Sequence, residues 1–246
     1  MTISDRVKQA IDPSLCITNA STPIPFFGQI DTANSCTISL NPSDREFCDK
    51  KGSLLGATKE RLCSRLRLGR SNDETLNHSE ADLVIQFCKN YFSNRPYRAW
   101  FNKYERFLKR FELSYFSGSV VHLDLVQWAT TPFWGELSEH VKDQLLERDL
   151  PFLQGLLVKD YDYIFLNGRT TVTEVAKHLA LDLEVIETKV LDKVSTNIYL
   201  GYHGESRVVG WSTYLQSAAV GSYSNVERLA DEVFMQEKVR RIGRGA

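Results

Sequence analysis

Four short segments rich in β-branched and apolar residues alternate with longer helical stretches along this chain. These segments are SCTISL at 35–40, SVVHLDLV at 119–126, DYIFLNG at 162–168 and RVVGWST at 207–213. Each pattern is typical of a buried strand. Strands that alternate with helices favour a parallel sheet with right-handed crossovers, covered on both faces. We therefore predict an α/β fold, a three-layer α/β/α sandwich with a central, mainly parallel four-stranded sheet.

Helical periodicity fills the stretches between and after these strands. The predicted helical segments are 79–92, 98–111, 135–160, 170–181 and 225–239. Ser79 and Asp82 offer a capping-box-like start to the first of them, and Pro151 is expected to break the third. The segment 184–211 contains three β-like runs, which indicate a hairpin leading into the last strand.

The composition is that of one ordinary globular domain. With 42% hydrophobic and 25% charged residues, the 246-residue chain is able to bury one substantial core. We predict a single domain over 1–246, with a flexible tail at about 240–246. The 30 basic and 31 acidic residues nearly cancel, so attraction to nucleic acid must come from local patches.

The cysteines and the N-terminus indicate a cellular compartment. Five cysteines with no CxxC pair are a poor basis for a disulfide framework or a zinc site, and they fit a reducing cytoplasm. The N-terminal segment has no apolar core typical of a signal peptide, and no apolar run reaches about 18 residues. We expect a cytoplasmic monomer that binds no membrane, metal or cofactor.

The loop after the first predicted strand is the most specific motif. It reads SLNPSDREF at 39–47, a tight turn in which Pro42 suits the first turn of a following helix. Ligands of open α/β sheets bind beyond the carboxyl ends of strands, so this turn is a candidate site. Alternatively, Asn41 and Ser43 are helix caps, and Asp44 complements the helix dipole.

The SLNPS turn resembles the first motif of the uracil-DNA glycosylase superfamily, closest to its mismatch-specific and single-strand-selective branches. Gly-hydrophobic-Asn-Pro-Gly follows the first strand in those branches. The resemblance implies that Asn41 positions the water that displaces a flipped-out base. Ser39 and Ser43 stand where the motif has glycines, and a position that needs a positive φ would be strained there.

A second match lies in VVHLDLVQWAT at 120–130. It resembles the strand whose asparagine reads the Watson–Crick edge of the extruded base, and Asp124 occupies that place. By strand alternation His122 shares its face and is a second substrate-binding candidate. An internal salt bridge of Asp124 and a structural role for His122 are the alternatives.

The aspartate at this position bears on which base is read. Asparagine suits uracil because it both donates and accepts, whereas ionised aspartate only accepts, as the exocyclic amine of cytosine requires. Excision of ordinary cytosine would destroy the host genome, so we expect a modified cytosine, hydroxymethylated or glucosylated as in phage DNA. This implies a defence role against phage.

A third match follows the last predicted strand, at 212–229. It takes the place of the superfamily's second motif, with Gln216 in place of its histidine or asparagine. The resemblance implies that Gln216 and Ser217 contact the substrate, and that Val220 is the apolar wedge that fills the hole left by the flipped nucleotide.

Three further assignments complete the predicted site. Phe47 is expected to stack on the base, or else to be a core residue, and Asp44 to stabilise the cationic sugar or accept the water's proton. In the basic segment 59–70, Arg65 and Arg67 are candidate phosphate contacts; a solvated helix face is the alternative.

Together these patterns predict a monofunctional DNA glycosylase that uses DNA as its partner and hydrolyses the N-glycosidic bond without a Schiff base. Two alternatives remain open at this point. One is a uracil or mismatch repair glycosylase, and the other is a non-catalytic module of the same fold that binds modified DNA. Phosphate-binding and hydrolase signatures such as Walker, GxGxxG and GxSxG sequences do not occur in the chain.

Overall fold

The computed structural model describes the backbone of residues 1–191 and 194–244 and, apart from 190, 191 and 240–244, their side chains. This part of the chain forms seven α-helices and six β-strands. The helices are α1 Ile3–Val7, α2 Arg65–Leu68, α3 His78–Lys89, α4 Arg98–Leu108, α5 Glu139–Leu156, α6 Arg169–His178 and α7 Tyr223–Arg244. The strands are β1 Ser35–Ser39, β2 Val120–Asp124, β3 Tyr163–Asn167, β4 Glu184–Leu191, β5 Val194–His203 and β6 Ser206–Trp211.

The described strands form one sheet in the order β2-β1-β3-β6-β5-β4. β3 pairs in parallel with β1 and with β6, whereas β5 pairs antiparallel with both β6 and β4. The predicted α/β sandwich with a mainly parallel sheet is confirmed, and the four predicted strands are neighbours in it. The predicted count of four strands is wrong, because the two strands of the predicted hairpin, β4 and β5, extend the same sheet beyond β6.

The strand predictions succeeded because the central strands are buried along almost their whole length. Every residue of β2 is buried, and each of β1 and β3 has one residue that is partly exposed. A strand covered on both faces carries apolar residues in succession rather than in alternation. This is the pattern that the sequence displays at 35–40, 119–126 and 162–168.

Two details of the helices differ from the predictions. α3 begins earlier than Ser79 suggested: Asn77, two residues before it, is the N-cap and forms a capping box with Glu80. Pro151 lies inside α5 and does not break it. A proline removes one backbone donor without ending a helix when the remaining hydrogen bonds and packing hold it.

The chain forms two compact units. The first unit contains Met1–Asp31, Ser39–Tyr97 and Val121–Val158, and the second contains Thr32–Ile38, Arg98–Val120 and Lys159–Ala246. Single-domain folding therefore stays a prediction. The side chains of the predicted flexible tail, 240–246, lie outside the described residues. None of the described helices is long and apolar enough to cross a membrane.

Each unit has its own buried centre. In the first, the guanidinium of Arg6 meets the carboxylate of Asp149 at 2.5 Å, with both side chains fully buried. In the second, aromatic rings form the core, and the rings of Phe107 and Trp211 stack with centroids 4.1 Å apart. Buried aromatic pairs of this kind add to the stabilisation that comes from burial alone.

Candidate functional site

The turn after β1 carries Asn41 and leads into a short 3-10 helix, Asp44–Glu46. Ser43 caps this helix: its hydroxyl accepts a hydrogen bond from the backbone N–H of Arg45 at 3.1 Å. Ser43 has a φ of −73° and a ψ of 148°, which is ordinary extended backbone. Neither Ser43 nor Ser39 has a positive φ. The serines that replace the motif's glycines are therefore unstrained, and one of them serves as a cap.

The side-chain amide of Asn41 is held in one orientation. Its Nδ2 donates to the hydroxyl of Thr130 at 3.0 Å and to the carbonyl oxygen of Trp128 at 3.2 Å. A carbonyl oxygen only accepts, so the nitrogen of the amide must lie on this side and Oδ1 on the other. Oδ1 accepts no hydrogen bond from the residues that the structure describes. This leaves it able to accept a hydrogen bond from a water molecule.

Asp44 and Phe47 lie at either end of the same 3-10 turn. The carboxylate of Asp44 accepts from the hydroxyl of Ser43 at 3.2 Å and lies 3.7 Å from Nε of Arg45, with 12% of the side chain exposed. It thus keeps a route to solvent. Phe47 is 3% exposed. This burial agrees with the core alternative for Phe47, and its role as a stacking surface stays a prediction.

Asp124 ends β2 with its carboxylate sealed from solvent. The residue is 2% exposed, and both carboxylate oxygens are buried without a hydrogen bond from any described residue. The imidazole of His122 lies beside it, with Nε2 3.5 Å from Oδ1 of Asp124. No arginine or lysine forms an ion pair with Asp124 among the described side chains. A buried carboxylate left in this way costs free energy that a bound ligand with donor groups would recover.

Hydrogen bonds connect the loop after β1 to the loop after β2. The backbone N–H groups of Leu125 and Val126 donate to the carbonyl oxygens of Ser39 and Leu40 at 2.9 and 3.0 Å. Farther along, Ser43 and Thr130 form a parallel bridge. The loop that carries Asn41 is therefore joined to the loop that follows Asp124 within the first unit.

Comparison with models of known protein families and with curated protein sequences found no match.

Glu46 is a buried carboxyl group that the sequence reasoning missed. It is 4% exposed, and its Oε2 accepts a hydrogen bond from the hydroxyl of Tyr91 at 2.7 Å. Burial raises the pKa of Glu46 to about 7, and the charge of Asp124 adds to the rise, whereas Tyr91 and Arg61 oppose it. The position of Glu46 in the SLNPSDREF turn is visible in the sequence. Its partner Tyr91 lies 45 residues away, just after the end of α3, so no local pattern indicates the burial of Glu46.

Aromatic rings surround this group of polar residues. The ring of Phe27 contacts the rings of Tyr91 and His122, with centroids 4.8 and 5.3 Å away. Phe27 also pairs with His122 through two backbone hydrogen bonds of 2.8 and 3.0 Å. Segment 24–28 therefore lies against the strand that carries Asp124, and the ring of Phe27 contacts Tyr91, the hydrogen-bond partner of Glu46.

Gln216 belongs to the second unit and both ends of its amide are engaged. Its Nε2 donates to the carbonyl oxygen of Trp100 at 2.7 Å, and its Oε1 accepts from Nδ2 of Asn167 at 2.8 Å. Oδ1 of Asn167 accepts from the indole of Trp211 and the backbone N–H of Leu215, both at 2.9 Å. Asn167, at the end of β3, thus fixes the loop after β6.

The rest of that loop does not match the prediction in full. Val220 is 0% exposed, so its assignment as a wedge inserted into DNA is wrong for this conformation: a wedge must project from the surface. The hydroxyl of Ser217 is buried and has no hydrogen-bond partner among the described residues. The predicted contact of Ser217 with the substrate stays a prediction.

Arg65 and Arg67 have opposite environments. Arg65 is 0% exposed, and its guanidinium donates to the carbonyl oxygens of Gln9, Ser21, Ser71 and Glu74. Its assignment as a phosphate contact is therefore wrong, because the side chain is sealed from solvent and all three guanidinium nitrogens already donate to carbonyl oxygens inside the protein. Arg67 has 40% of its side chain exposed and pairs with Glu60 at 2.6 Å, so contact with a phosphate stays a prediction for it.

The first unit thus combines three kinds of group in neighbouring loops. One is an oriented amide with an available acceptor oxygen, another is a partly exposed carboxylate at Asp44, and the third is a pair of buried carboxyl groups at Glu46 and Asp124. An amide oxygen and a carboxylate orient and deprotonate water, and buried carboxyl groups pair with nitrogen donors and acceptors of a ligand. The described residues contain no cluster of potential metal ligands.

Proposed function

We propose that this protein is a monofunctional DNA glycosylase of the uracil-DNA glycosylase superfamily, acting in the cytoplasm on a flipped-out base. The favoured base is a modified cytosine, hydroxymethylated or glucosylated as in phage DNA, and the role is defence. The observation that carries the proposal is the orientation of Asn41, whose Nδ2 is fixed by Thr130 and Trp128 so that Oδ1 is left for a water.

In the proposed reaction, Asn41 aligns a water molecule with C1′ of the extruded nucleotide. Fixing the nucleophile in this way removes much of the entropic barrier to attack. Asp44, whose carboxylate keeps a route to solvent, stabilises the positive charge that develops on the sugar and accepts the water's proton. Gln216 has a second amide proton beyond the one given to Trp100, and its contact with the substrate stays a prediction.

Two observations support the finer parts of the proposal. The carboxylate of Asp124, which accepts no hydrogen bond from the described residues, suits the exocyclic amine of a cytosine-type base, because an ionised carboxylate only accepts. Lys50 and Lys51 follow the 3-10 turn and are both exposed. A lysine that forms a Schiff base is normally desolvated, and these two lysines are not. Their exposure therefore favours hydrolysis by water over a Schiff-base mechanism.

The test uses the purified protein and duplex or single-stranded DNA that contains cytosine, uracil, 5-hydroxymethylcytosine or its glucosylated form. Alkali cleavage at abasic sites reports excision. We expect cleavage of DNA with a modified cytosine, and its loss in Asn41→Ala. Asn94→Ala is the matched control, because Asn94 is an exposed asparagine of the same unit.

Each outcome of this test has one meaning. An Asn41→Ala variant as active as the wild type would remove the mechanism. Uracil as the best substrate would replace the defence role with base repair. Tight binding of modified DNA by the wild type without any abasic site would show a non-catalytic reader of the same fold.

A further inference from the structure

Gln127 lies in the loop after β2, and its side chain is buried among hydrogen-bond partners from its own unit. The residue is 1% exposed. Its Nε2 donates to the carbonyl oxygens of Asp124 and Leu125 at 2.9 and 3.2 Å, and its Oε1 accepts from Nε of Arg6 at 3.1 Å. A carbonyl oxygen only accepts, so these contacts fix the orientation of the Gln127 amide and engage both of its protons.

The backbone of Gln127 is held as firmly as its side chain. Its N–H donates to Oδ2 of Asp149 at 2.8 Å, and its carbonyl oxygen accepts from the backbone N–H of Ile24 at 2.7 Å. These partners come from α5 and from the segment before Phe26, whereas Arg6 comes from α1. A buried polar network in which every group has a partner is rigid, because no group gains a partner by moving.

Gln127 immediately precedes the residue that orients Asn41. The carbonyl oxygen of Trp128 accepts from Nδ2 of Asn41 at 3.2 Å. Arg6, which donates to the amide of Gln127, also lies over the ring of Trp128, 5.7 Å from its centroid. The network around Gln127 therefore fixes the chain from the end of β2 up to the carbonyl that Asn41 contacts.

Of the two partners of Asn41, only the carbonyl of Trp128 decides which way the amide faces. The other partner is the hydroxyl of Thr130, 3.0 Å from Nδ2, and a hydroxyl is able to donate or to accept. It would bond equally well to Oδ1 if the amide turned over. The carbonyl oxygen of Trp128 accepts only, and it opposes the flipped amide. The direction of Oδ1 thus depends on the position of this one carbonyl.

We propose that Gln127 is a positioning residue for the hydrolytic water. It fixes the chain on the amino side of Trp128, and the carbonyl of Trp128 then keeps the Asn41 amide in the orientation that leaves Oδ1 for the water. Gln127 touches no substrate and acts through Asn41. Its role in excision rests on the proposed glycosylase function, whereas its effect on the orientation of the Asn41 amide does not.

The first experiment replaces Gln127 with methionine, an unbranched residue without an amide. Gln29→Met is the matched control, because the amide of Gln29 also donates to a backbone carbonyl of this unit, that of Lys89 at 3.0 Å. Single-turnover excision of the modified cytosine and affinity for the same DNA are measured. In Gln127→Met we expect excision to fall by about 10- to 100-fold with affinity unchanged, since a misplaced nucleophile slows the reaction without weakening binding. Gln29→Met should match the wild type.

Nuclear magnetic resonance of side-chain amides reports the orientation of Asn41 without any need for activity. Its Nδ2 proton signals are assigned by their loss in Asn41→Ala, and the Nε2 signals of Gln127 by their loss in Gln127→Met. In the wild type both sets of protons should exchange slowly with solvent, because they are hydrogen-bonded. In Gln127→Met the Asn41 signals should shift and exchange faster, whereas in Gln29→Met they should stay unchanged.

The outcomes separate this inference from the proposed function. If the wild type excises the base and Asn41 signals are unchanged in Gln127→Met, the positioning role is overturned, whatever the excision rate, and the glycosylase proposal stands. If the wild type excises no base, the role in excision falls with the proposed function, and the Asn41 signals still test the orientation. If Gln127→Met does not fold, the wild type decides: fast exchange of the Asn41 amide protons overturns the inference, and slow exchange supports it.

Discussion

Arg6 and Asp149 form an ion pair at 2.5 Å in which neither side chain reaches solvent. Nε of Arg6 also donates to the side-chain oxygen of Gln127 at 3.1 Å, and the backbone N–H of Gln127 donates to Asp149 at 2.8 Å. The side-chain amide nitrogen of Gln127 in turn donates to the carbonyl oxygens of Asp124 and Leu125 at 2.9 and 3.2 Å. A buried charge pair thus holds the chain where β2 ends.

The first prediction concerns this pair. Arg6→Met leaves the carboxylate of Asp149 buried without its cation and should lower the free energy of unfolding by about 3–5 kcal/mol. Arg148→Met, which breaks the exposed pair with Asp12, should cost less than about 1 kcal/mol. Urea denaturation followed by circular dichroism measures both. Equal losses of unfolding free energy in the two variants would show that burial does not increase the cost of removing one partner of an ion pair.

The second prediction is a pH dependence of stability. Burial raises the pKa of Glu46 from 4.5 to about 7, so the folded state holds this proton more tightly than the unfolded state. The resulting stabilisation is complete below 4.5 and is lost as pH rises through about 7. It amounts to about 3 kcal/mol at most. In Glu46→Gln the unfolding free energy should no longer fall as pH rises across this window. Glu139→Gln, which removes an exposed carboxylate on α5, should keep the pH dependence of the wild type.

The third prediction tests what orients Asn41. Thr130→Val removes the hydroxyl that accepts from Nδ2 of Asn41 at 3.0 Å, which loosens the amide without deleting it. If the proposed function is correct, single-turnover excision should fall by about 10-fold, since misplacement of a nucleophile is costly. Thr18→Val is the control, because the hydroxyl of Thr18 bonds to that of Thr131 instead. A loss of equal size in Thr18→Val would point to general destabilisation.

The fourth prediction concerns base preference. Asp124→Asn supplies a donor and an acceptor where the wild type has a carboxylate, and this combination suits uracil. We expect the ratio of uracil excision to modified-cytosine excision to rise by about 10-fold or more, which is the discrimination typical of one good hydrogen-bonded pair. The measurement is competition between the two substrates in one reaction. An unchanged ratio would remove Asp124 from base reading.

The fifth prediction lies in the second unit. Gly168 has a φ of 94°, and a Cβ placed on it would meet Cδ2 of Tyr214 at 3.2 Å. Gly168→Ala should therefore cost about 1–2 kcal/mol, because both backbone strain and crowding oppose it. Gly155→Ala, at a helical position with nothing within 4 Å, should be neutral or stabilising. Thermal unfolding of both variants gives the comparison.

The strands and the loop of the site were predictable because their signals are local. A strand buried on both faces must be apolar along its length, and that pattern is visible in the residues of β1, β2 and β3 without any partner. The tight turn at Asn41 and Pro42 is likewise encoded in adjacent residues. The antiparallel addition of β4 and β5 was visible as a hairpin, but its membership of the same sheet depended on pairing with β6.

The fates of the charged residues could not be predicted, because they depend on contacts between distant segments. Arg65 looks like a surface cation in a basic segment, yet carbonyl oxygens from residues as far as 56 positions away surround its guanidinium. Glu46 looks like the third residue of a solvated turn, yet Tyr91, 45 positions away, buries and binds it. Val220 looks like a loop residue and is packed in the interior.

The sequence by itself determined the order of strands and helices and the placing of Asn41 and Asp124 after two of the strands, since hydrophobic periodicity and turn residues act over a few positions. Only the tertiary structure decided which polar groups lose contact with water. Burial sets the charge of Glu46, leaves Asp124 without a donor and commits Arg65 to carbonyl oxygens. Solvent exclusion is a property of the assembled chain, and no local stretch of residues specifies it.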